Sequence, residues 1–306
     1  MEYAKILSAE LNVPEQYAAA AIALIDEGNT IPFIARYRKE ATNAMDDQVL
    51  RTLAERLDYL RGLEKRKGEV AAVITEQGAM TEELERALAA AKTLAEVEDL
   101  YRPYKPKRKT RASVAKARGL EPLAQALRAQ DARLDVRAEA EKYITEEVPD
   151  AEAALAGARD ILAEQVSDDA ALRAELRKFY RAFGLVKSKA AKEEDSVYAQ
   201  YYDFSEPVNR IAGHRVLALD RGEREEFLKV SVEVDPERAC GIARRMFVKK
   251  SGGASAAQVD EAVQDAYARL VQPSLEREVR AALTEQAAEG AIQVFGENLR
   301  QLLLAP

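Results

Sequence analysis

Apolar residues recur along most of the chain with the spacing of an amphipathic α-helix. The clearest run begins at Asp46, after which apolar positions fall three, four or seven residues apart and therefore lie on one helix face: Val49, Leu53, Leu57, Leu60, Leu63, Val70 and Ile74. Gly78 ends this helix. Before it, Pro14 suits the first turn of a helix that Gly28 ends, so the chain opens with a predicted helical hairpin.

The same spacing predicts helices through most of the remaining sequence. Thr81 is a suitable N-cap for one of them, and a break at Ser167, which can cap the next piece, divides residues 150–183. The other predicted helices cover 135–145, 213–223, 237–249, 256–271 and, after a break at Pro273, Ser274 to about Leu304. The pattern predicts a mainly α protein built as a multi-helix array.

Two short segments favour extended structure instead. Residues 227–234, FLKVSVEV, alternate and include β-branched side chains, and residues 184–191, GLVKSKAA, are a weaker candidate. The pattern therefore admits a small two-stranded β element.

A composition change near 190–212 predicts a domain boundary. The charged run AAKEED is followed there by YYDFSEPVNRIAG, which is rich in turn residues. We therefore expect an N-terminal helical domain over 1–190 and a second helical region over 191–306.

Composition supports a folded helical protein in a reducing compartment. The 306 residues are 47% hydrophobic and include no tryptophan, while the single Cys240 and single His214 can form neither an internal disulfide nor a usual zinc site. No metal or cofactor is expected. The N-terminus lacks a signal-peptide pattern, and the apolar run at 18–25 is far shorter than the ~18 residues of a membrane span. These features predict a cytoplasmic protein with no membrane partner.

The usual sequence signatures of catalysis are missing. The chain has no GxGxxG, GxxxxGK[ST], HExxH or GxSxG motif. The carboxylate pairs Asp46-Asp47 and Asp168-Asp169 stand at predicted helix starts, where acids interact well with the helix dipole. We therefore expect helix capping at these pairs, a structural role for His214, a buried thiol at Cys240 and no enzymatic activity.

The net charge is −7, yet residues 102–118 carry eight basic residues and no acid. The overlapping segment YRPYKPKRKTR at 101–111 combines two tyrosines, two prolines and six cations. Such a loop can neutralise phosphates and stack on unpaired bases, which makes five residues candidates for nucleic-acid binding: Lys105, Lys107, Arg108, Lys109 and Arg111. In the alternative, the tyrosines and arginine stems pack between helices and the cations pair with nearby acids.

Two further basic clusters have a simpler interpretation. ARYRKE at 35–40 and RRMFVKK at 244–250 are both typical of solvated helix faces, which is the interpretation we favour for them.

Four segments together resemble the Tex family of bacterial transcription accessory proteins: IPFIARYRKEAT at 31–42, YLRGLEKRKGEVAAVITEQG at 59–78, TLAEVEDLYRPYKPKRKTRASVAKARGLEPLA at 93–124 and YYDFSEPVNRIAGHRVLALDRGE at 201–223. The resemblance spans almost the whole chain in the family's order. Two departures are local: ATNAMDD stands where the family has a glycine pair in ATGGLDD, and YRPYK replaces YLPYK.

The resemblance implies a cytoplasmic RNA- and DNA-binding protein of transcription, whose helical N-terminal region contains a helix-turn-helix-like segment. It also implies an incomplete chain, because proteins similar to Tex continue into an RNase H-like domain, helix-hairpin-helix elements and an OB-fold RNA-binding domain. A second hypothesis is a helical scaffold that braces other domains or contacts the transcription machinery without binding nucleic acid. Exposure of the loop at 101–111 would separate the two.

Overall fold

A computed structural model describes residues 2–192, 194 and 196–304, and it confirms the mainly α class. The chain divides into two compact units, Met1–Tyr104 and Lys105–Pro306. Each unit buries its own apolar side chains.

The first unit is entirely helical in its described residues. Its α-helices are α1 (Tyr3–Leu11), α2 (Glu15–Asp26), α3 (Ile31–Tyr37), α4 (Asp47–Glu76), α5 (Glu82–Ala90) and α6 (Leu94–Tyr101), followed by one 3₁₀ turn, Arg102–Tyr104. Asp46 and Thr81 accept hydrogen bonds from backbone amides three residues ahead, which confirms both as N-caps.

The long helix α4 joins two small cores. Its first half packs against α1, α2 and α3 around Leu50, Leu53 and Leu57, and its second half packs against α5 and α6 around Val70 and Ile74. At 1.5 Å per residue this helix is about 45 Å long. The apolar stripe predicted from the sequence is the stripe that it buries.

The second unit is built around the buried helix α10. The helices of this unit are α7 (Arg111–Ala117), α8 (Glu121–Ala129), α9 (Val136–Glu141), α10 (Ala151–Ser167), α11 (Ala170–Phe183), α12 (Gly213–Arg224), α13 (Pro236–Phe247), α14 (Gly253–Asp265) and α15 (Gln272–Leu304). α10 packs against α7, α8, α9 and α14, whereas α11 packs against α13 and α15. Asp169, and not Ser167 as predicted, caps α11.

The predicted β element has three strands instead of two. β1 (Leu185–Ala190) lies between β2 (Asp203–Pro207) and β3 (Leu228–Glu233), and both pairings are antiparallel. Val186 and Val232 face each other on the buried side, where β3 packs against α12 and α15. The sheet joins residues on both sides of position 190, so the boundary predicted at 190–191 lies inside the second unit.

The predicted break at Pro273 is wrong. α14 continues through a π-helical turn, Ala266–Val271, directly into α15, so Pro273 lies in the first turn of that helix. A wider π-helical turn changes the hydrogen-bond pattern just before the residue that has no N–H to donate. The helical path therefore continues where a proline was expected to stop it.

An apolar residue occupies every fourth position along this path. The series runs Val263, Tyr267, Val271, Leu275, Val279, Leu283, Ala287, Ala291, Phe295, Leu299 and Leu303. Its members are buried or half-buried as far as Ala287 and exposed from Ala291 onward. We call residues 263–303 of this series the apolar seam.

Polar contacts fix the first half of α15 to its neighbours. Arg280 donates to Glu223 at 2.6 Å and to the Val230 carbonyl at 3.0 Å, and Thr284 donates to Asp220 at 2.6 Å. Burial alone would raise the pKa of Glu223, but the hydrogen bonds from Arg280 and the Val230 amide outweigh it and hold that pKa below its usual value.

Candidate nucleic-acid interface

The two tyrosines of the 101–111 segment belong to the core of the first unit. Tyr101 is buried beside Val97, with the Arg66 guanidinium 5.5 Å from its ring centre, and Tyr104 packs at the edge of the same core. Gln77 donates a hydrogen bond to the Tyr104 carbonyl at 3.1 Å. Both rings are engaged in packing, as the structural alternative expects. Tyr101 is buried and is not available to stack on bases, whereas Tyr104 is half-buried.

The basic part of the segment leads into a capped helix. Thr110 and Ser113 form a reciprocal capping box at the start of α7, with distances of 2.8 and 3.0 Å between side-chain oxygen and backbone nitrogen. Residues 105–109 have no regular secondary structure. The cations therefore project from an irregular loop that ends in a fixed helix start.

Lys107 is neutralised within its own unit. Its ammonium group forms an ion pair with Asp168 and lies 3.5 Å from Glu164, both at the carboxyl end of α10. The lysine side chain is only 28% exposed, and a helix C-terminus itself favours a cation. Lys107 therefore fits the structural alternative better than phosphate binding.

Arg108 and Lys109 have different surroundings. Both are exposed, and neither forms an ion pair or hydrogen bond with the part of the chain that the structure describes. Lys105 and Arg111 are also exposed, but the charge of Arg111 favours the ionised forms of Asp160 and Asp265. Burial nevertheless raises the pKa of Asp160, whereas the hydrogen bond from Arg269 holds the pKa of Asp265 below its usual value. Of the five candidates, Arg108 and Lys109 have the least compensated charge.

Other cations near the loop lie close to acids from outside the acid-free stretch 102–118. Lys116 lies 3.7 Å from Glu121, and Arg118 lies 3.6 Å from Glu147. The acid-free stretch 102–118 is therefore much less positive in the fold than in the sequence.

The third basic cluster is also partly paired. Arg244 forms an ion pair with Asp260 at 2.6 Å, and Lys249 donates to the Ala129 carbonyl at 2.8 Å. Arg245 and Lys250 remain exposed. The cluster lies at the end of α13 and in the short turn before α14.

The cysteine and the carboxylates considered for catalysis are engaged in packing or in helix capping. Cys240 is buried, and this burial raises the pKa of its thiol, which disfavours the reactive thiolate. Asp46 and Asp169 are N-caps, as predicted for the two carboxylate pairs. Among the described residues, no three His, Cys, Asp or Glu side chains converge as metal ligands, and none of the helices there has the length and apolar content to cross a membrane.

The chain belongs to the class of mainly α proteins. Its helices form two units, the second unit contains a small antiparallel sheet, and a basic loop lies between Tyr104 and α7. One family model matches within each unit: the Tex-like protein N-terminal domain over residues 1–75 and the Tex central region-like domain over residues 131–295. The chain belongs to the Tex family.

Relatives from distant organisms match nearly the whole chain. It is 42% identical to the uncharacterized protein YdcI of Bacillus subtilis, over 98% of this chain and 43% of that protein. It is 42% identical to the transcriptional accessory protein Tex of Neisseria gonorrhoeae, over 100% and 41%. It is 32% identical to the human S1 RNA-binding domain-containing protein 1, over 98% and 32%. The chain thus spans less than half the length of these relatives.

Proposed function

We propose that this chain is a non-enzymatic, nucleic-acid-binding part of a transcription accessory protein, and that Arg108 and Lys109 contact phosphate. The exposed and uncompensated charge of these two residues is the observation that carries the proposal. The name of the gonococcal relative, a transcriptional accessory protein, supports the setting. A cytoplasmic location is part of the same proposal, supported by the one unpaired cysteine.

The end of the loop that leads into α7 is suited to phosphate because the Thr110 capping box fixes it. Less chain entropy is lost when cations next to such a fixed end bind. Lys105 and Arg111 lie at the loop ends and are expected to add to the local field, whereas Lys107 is expected to position the loop through Asp168.

The test is the salt dependence of binding to duplex DNA and to single-stranded RNA. Changing Arg108 and Lys109 together to glutamine should leave the melting temperature nearly unchanged, because exposed charges stabilise little. The slope of log affinity against log salt for duplex DNA should become shallower by about 1.8, or about 0.9 per lost phosphate contact.

Lys107→Gln is the matched control. It should lower the melting temperature, because Asp168 and Glu164 lose their shared cation, while the salt slope stays near that of the unmodified chain. An unchanged slope in the Arg108→Gln, Lys109→Gln variant would reject this loop as a phosphate-binding site.

A second candidate function is a helical scaffold for protein partners. The exposed part of the apolar seam favours it, since Phe295, Leu299 and Leu303 follow without interruption from positions that are buried in the second unit. Contiguous exposed apolar surface of this kind marks protein interaction sites.

A further inference from the structure

The short helix α3 turns one face to the core of the first unit and leaves two aromatic rings outside it. Ile34 is fully buried, whereas Phe33 is 37% and Tyr37 is 69% exposed. Neither ring belongs to the core around α1, α2 and α4. The rings lie one helical turn apart, with centres 5.2 Å from each other. We call Phe33, Tyr37 and the three cations described next the α3 patch.

Three cations surround these rings. Arg36, Arg38 and Lys39 are exposed, and none of them forms an ion pair with a residue that the structure describes. The Arg38 guanidinium lies 5.7 Å from the centre of the Phe33 ring. Glu40 is the one acid in the same stretch. The α3 patch is therefore locally positive in a chain whose net charge is −7.

The backbone that carries the patch is held in place after the helix ends. The Arg38 carbonyl accepts from the backbone amide of Thr42 at 3.2 Å and from its hydroxyl at 3.1 Å, and Thr42 is fully buried. The Ala44 amide donates to the Lys39 carbonyl at 2.7 Å. Arg38 and Lys39 thus project from a hydrogen-bonded turn and not from a loose end.

We propose that the α3 patch binds single-stranded nucleic acid, with Tyr37 and Phe33 stacking on unpaired bases and Arg36, Arg38 and Lys39 contacting phosphates. This inference rests on the proposed function and adds a second contact in the other unit. Exposed rings with adjacent cations are the arrangement that binds single strands without sequence preference. Both ligand groups, planar base and phosphate, are matched within one short segment.

The composition of the patch favours a single strand over other partners. In a duplex the base faces are covered by their neighbours, so the rings would contribute nothing to duplex binding. A protein partner would account for the rings, but three cations against one acid fit a polyanion better. A protein partner is nevertheless one outcome of the test.

The test uses a single-stranded oligonucleotide that contains a fluorescent adenine analogue whose emission falls on stacking. Tyr37→Ala should weaken binding to it roughly tenfold and remove the emission change, because base stacking is lost. Its salt slope should stay the same, since no phosphate contact is removed. Arg36→Gln with Lys39→Gln should instead make the slope shallower by about 1.4, or about 0.7 per contact with a single strand.

Two controls separate stacking from general damage. Tyr37→Phe keeps the ring and should bind like the unmodified chain. Ile144→Ala removes an apolar side chain outside the patch that is 46% exposed, and it should also leave binding unchanged. Because Tyr37 is largely exposed, Tyr37→Ala should melt at the unmodified temperature. The proposal would be overturned if Tyr37→Ala lost the same affinity for single-stranded and duplex ligands, or if it lost no affinity for the single strand. A variant that keeps its affinity for the single strand but loses a protein partner would overturn it as well.

The two binding proposals fail in different ways. If Tyr37→Ala has no effect while the Arg108→Gln, Lys109→Gln variant has a shallower slope, only the α3 patch is rejected. If Tyr37→Ala weakens binding and the loop variant behaves normally, only the loop is rejected. A chain that binds no nucleic acid at low salt rejects both.

Discussion

At the scale of single residues, Glu278 contacts two guanidinium groups. Its negative charge helps to compensate their positive charges, which are largely buried. Its carboxylate accepts from Arg177 and lies 3.6 Å from Arg173, whose side chain is 2% exposed. Both arginines come from α11, and Glu278 lies on α15. This contact therefore joins two helices through charge as well as through packing.

Glu278→Ala should destabilise the second unit by roughly 3 kcal/mol, because removing one partner of a buried pair leaves its cations poorly solvated. In a unit of this size the melting temperature should fall by about 6–12 °C, which thermal circular dichroism would measure. Glu175→Ala, which removes the partner of the exposed Lys178 on the same helix α11, should change it little. Equal melting of the two variants would contradict the role given to Glu278.

The surroundings of Lys107 and Lys109 explain how far the environment of the loop at 101–111 could be predicted from sequence. The residue types and their local density identified the segment, but the carboxylates that neutralise Lys107 come from positions 164 and 168. Charge counted along the chain contains no information on such contacts. The exposure of Phe33 and Tyr37 could not be predicted either, because α3 is too short for a repeating pattern of apolar and polar positions to define its buried face.

The departure from the family's glycine pair also has a local explanation. Asn43 and Ala44 both adopt left-handed backbone conformations, with φ of 52° and 55°. Glycine takes this conformation without a steric penalty, so the family's ATGGLDD suits the turn better than ATNAMDD does. The fold keeps the turn despite the substitution.

At the scale of elements, Gly222 lies where α12 approaches the sheet. A Cβ atom there would come within 2.6 Å of a Leu228 methyl group and 3.1 Å of the Tyr198 ring, and both of these side chains are buried. The absence of a side chain at Gly222 therefore permits the close packing of α12 on β3.

Gly222→Ala should destabilise the chain by about 1–3 kcal/mol, because the buried neighbours have little room to move. Gly62, in the middle of α4, has no atom within 4 Å of an added Cβ. Gly62→Ala should stabilise the chain by about 0.5–1 kcal/mol, since alanine loses less backbone entropy in a helix. Denaturant unfolding would compare the two, and shifts of the same sign would refute the packing argument.

Which elements could be predicted depended on how local their causes are. Residues close in sequence determine the apolar faces of the helices and the N-caps at Asp46 and Thr81, so these features were predicted correctly. The strand β2 was missed because Asp203 and Pro207 are poor strand formers, which an edge strand tolerates. Ser167 and the Asp168-Asp169 pair were both predicted to cap because both residue types cap well. Asp169 caps α11, whereas the Ser167 hydroxyl donates to the Glu164 carbonyl within α10.

At the scale of the whole molecule, the division into units follows tertiary contacts that sequence composition did not reveal. The charged and turn-rich stretch after position 190 connects β1 to β2 and so lies within one unit. The division falls instead next to Tyr104, where an aromatic residue of one core is followed directly by the basic loop. Composition marks exposed connections, and such connections occur within units as well as between them.

The scaffold hypothesis predicts a loss of partner binding without a loss of stability. Changing Phe295 and Leu299 together to serine should leave the melting temperature nearly unchanged, because both side chains are exposed. If the hypothesis holds, the same variant should lose binding to purified bacterial RNA polymerase, measured by surface plasmon resonance. Leu275→Ala, at a buried position of the same seam, should instead lower the melting temperature.

The step of four residues in the apolar seam also fixes the direction from which a partner can approach. Four residues turn an α-helix by about 400°, so the seam advances about 40° around the helix at each step and is inclined to its axis. The partner helix of a parallel coiled coil follows a seven-residue repeat. Such a helix would stay in contact with the inclined seam for no more than two turns. Ridges of the four-residue type interlock at about −50°. A helix bound along Phe295, Leu299 and Leu303 should therefore cross α15 obliquely and should not wind around it as a coiled coil.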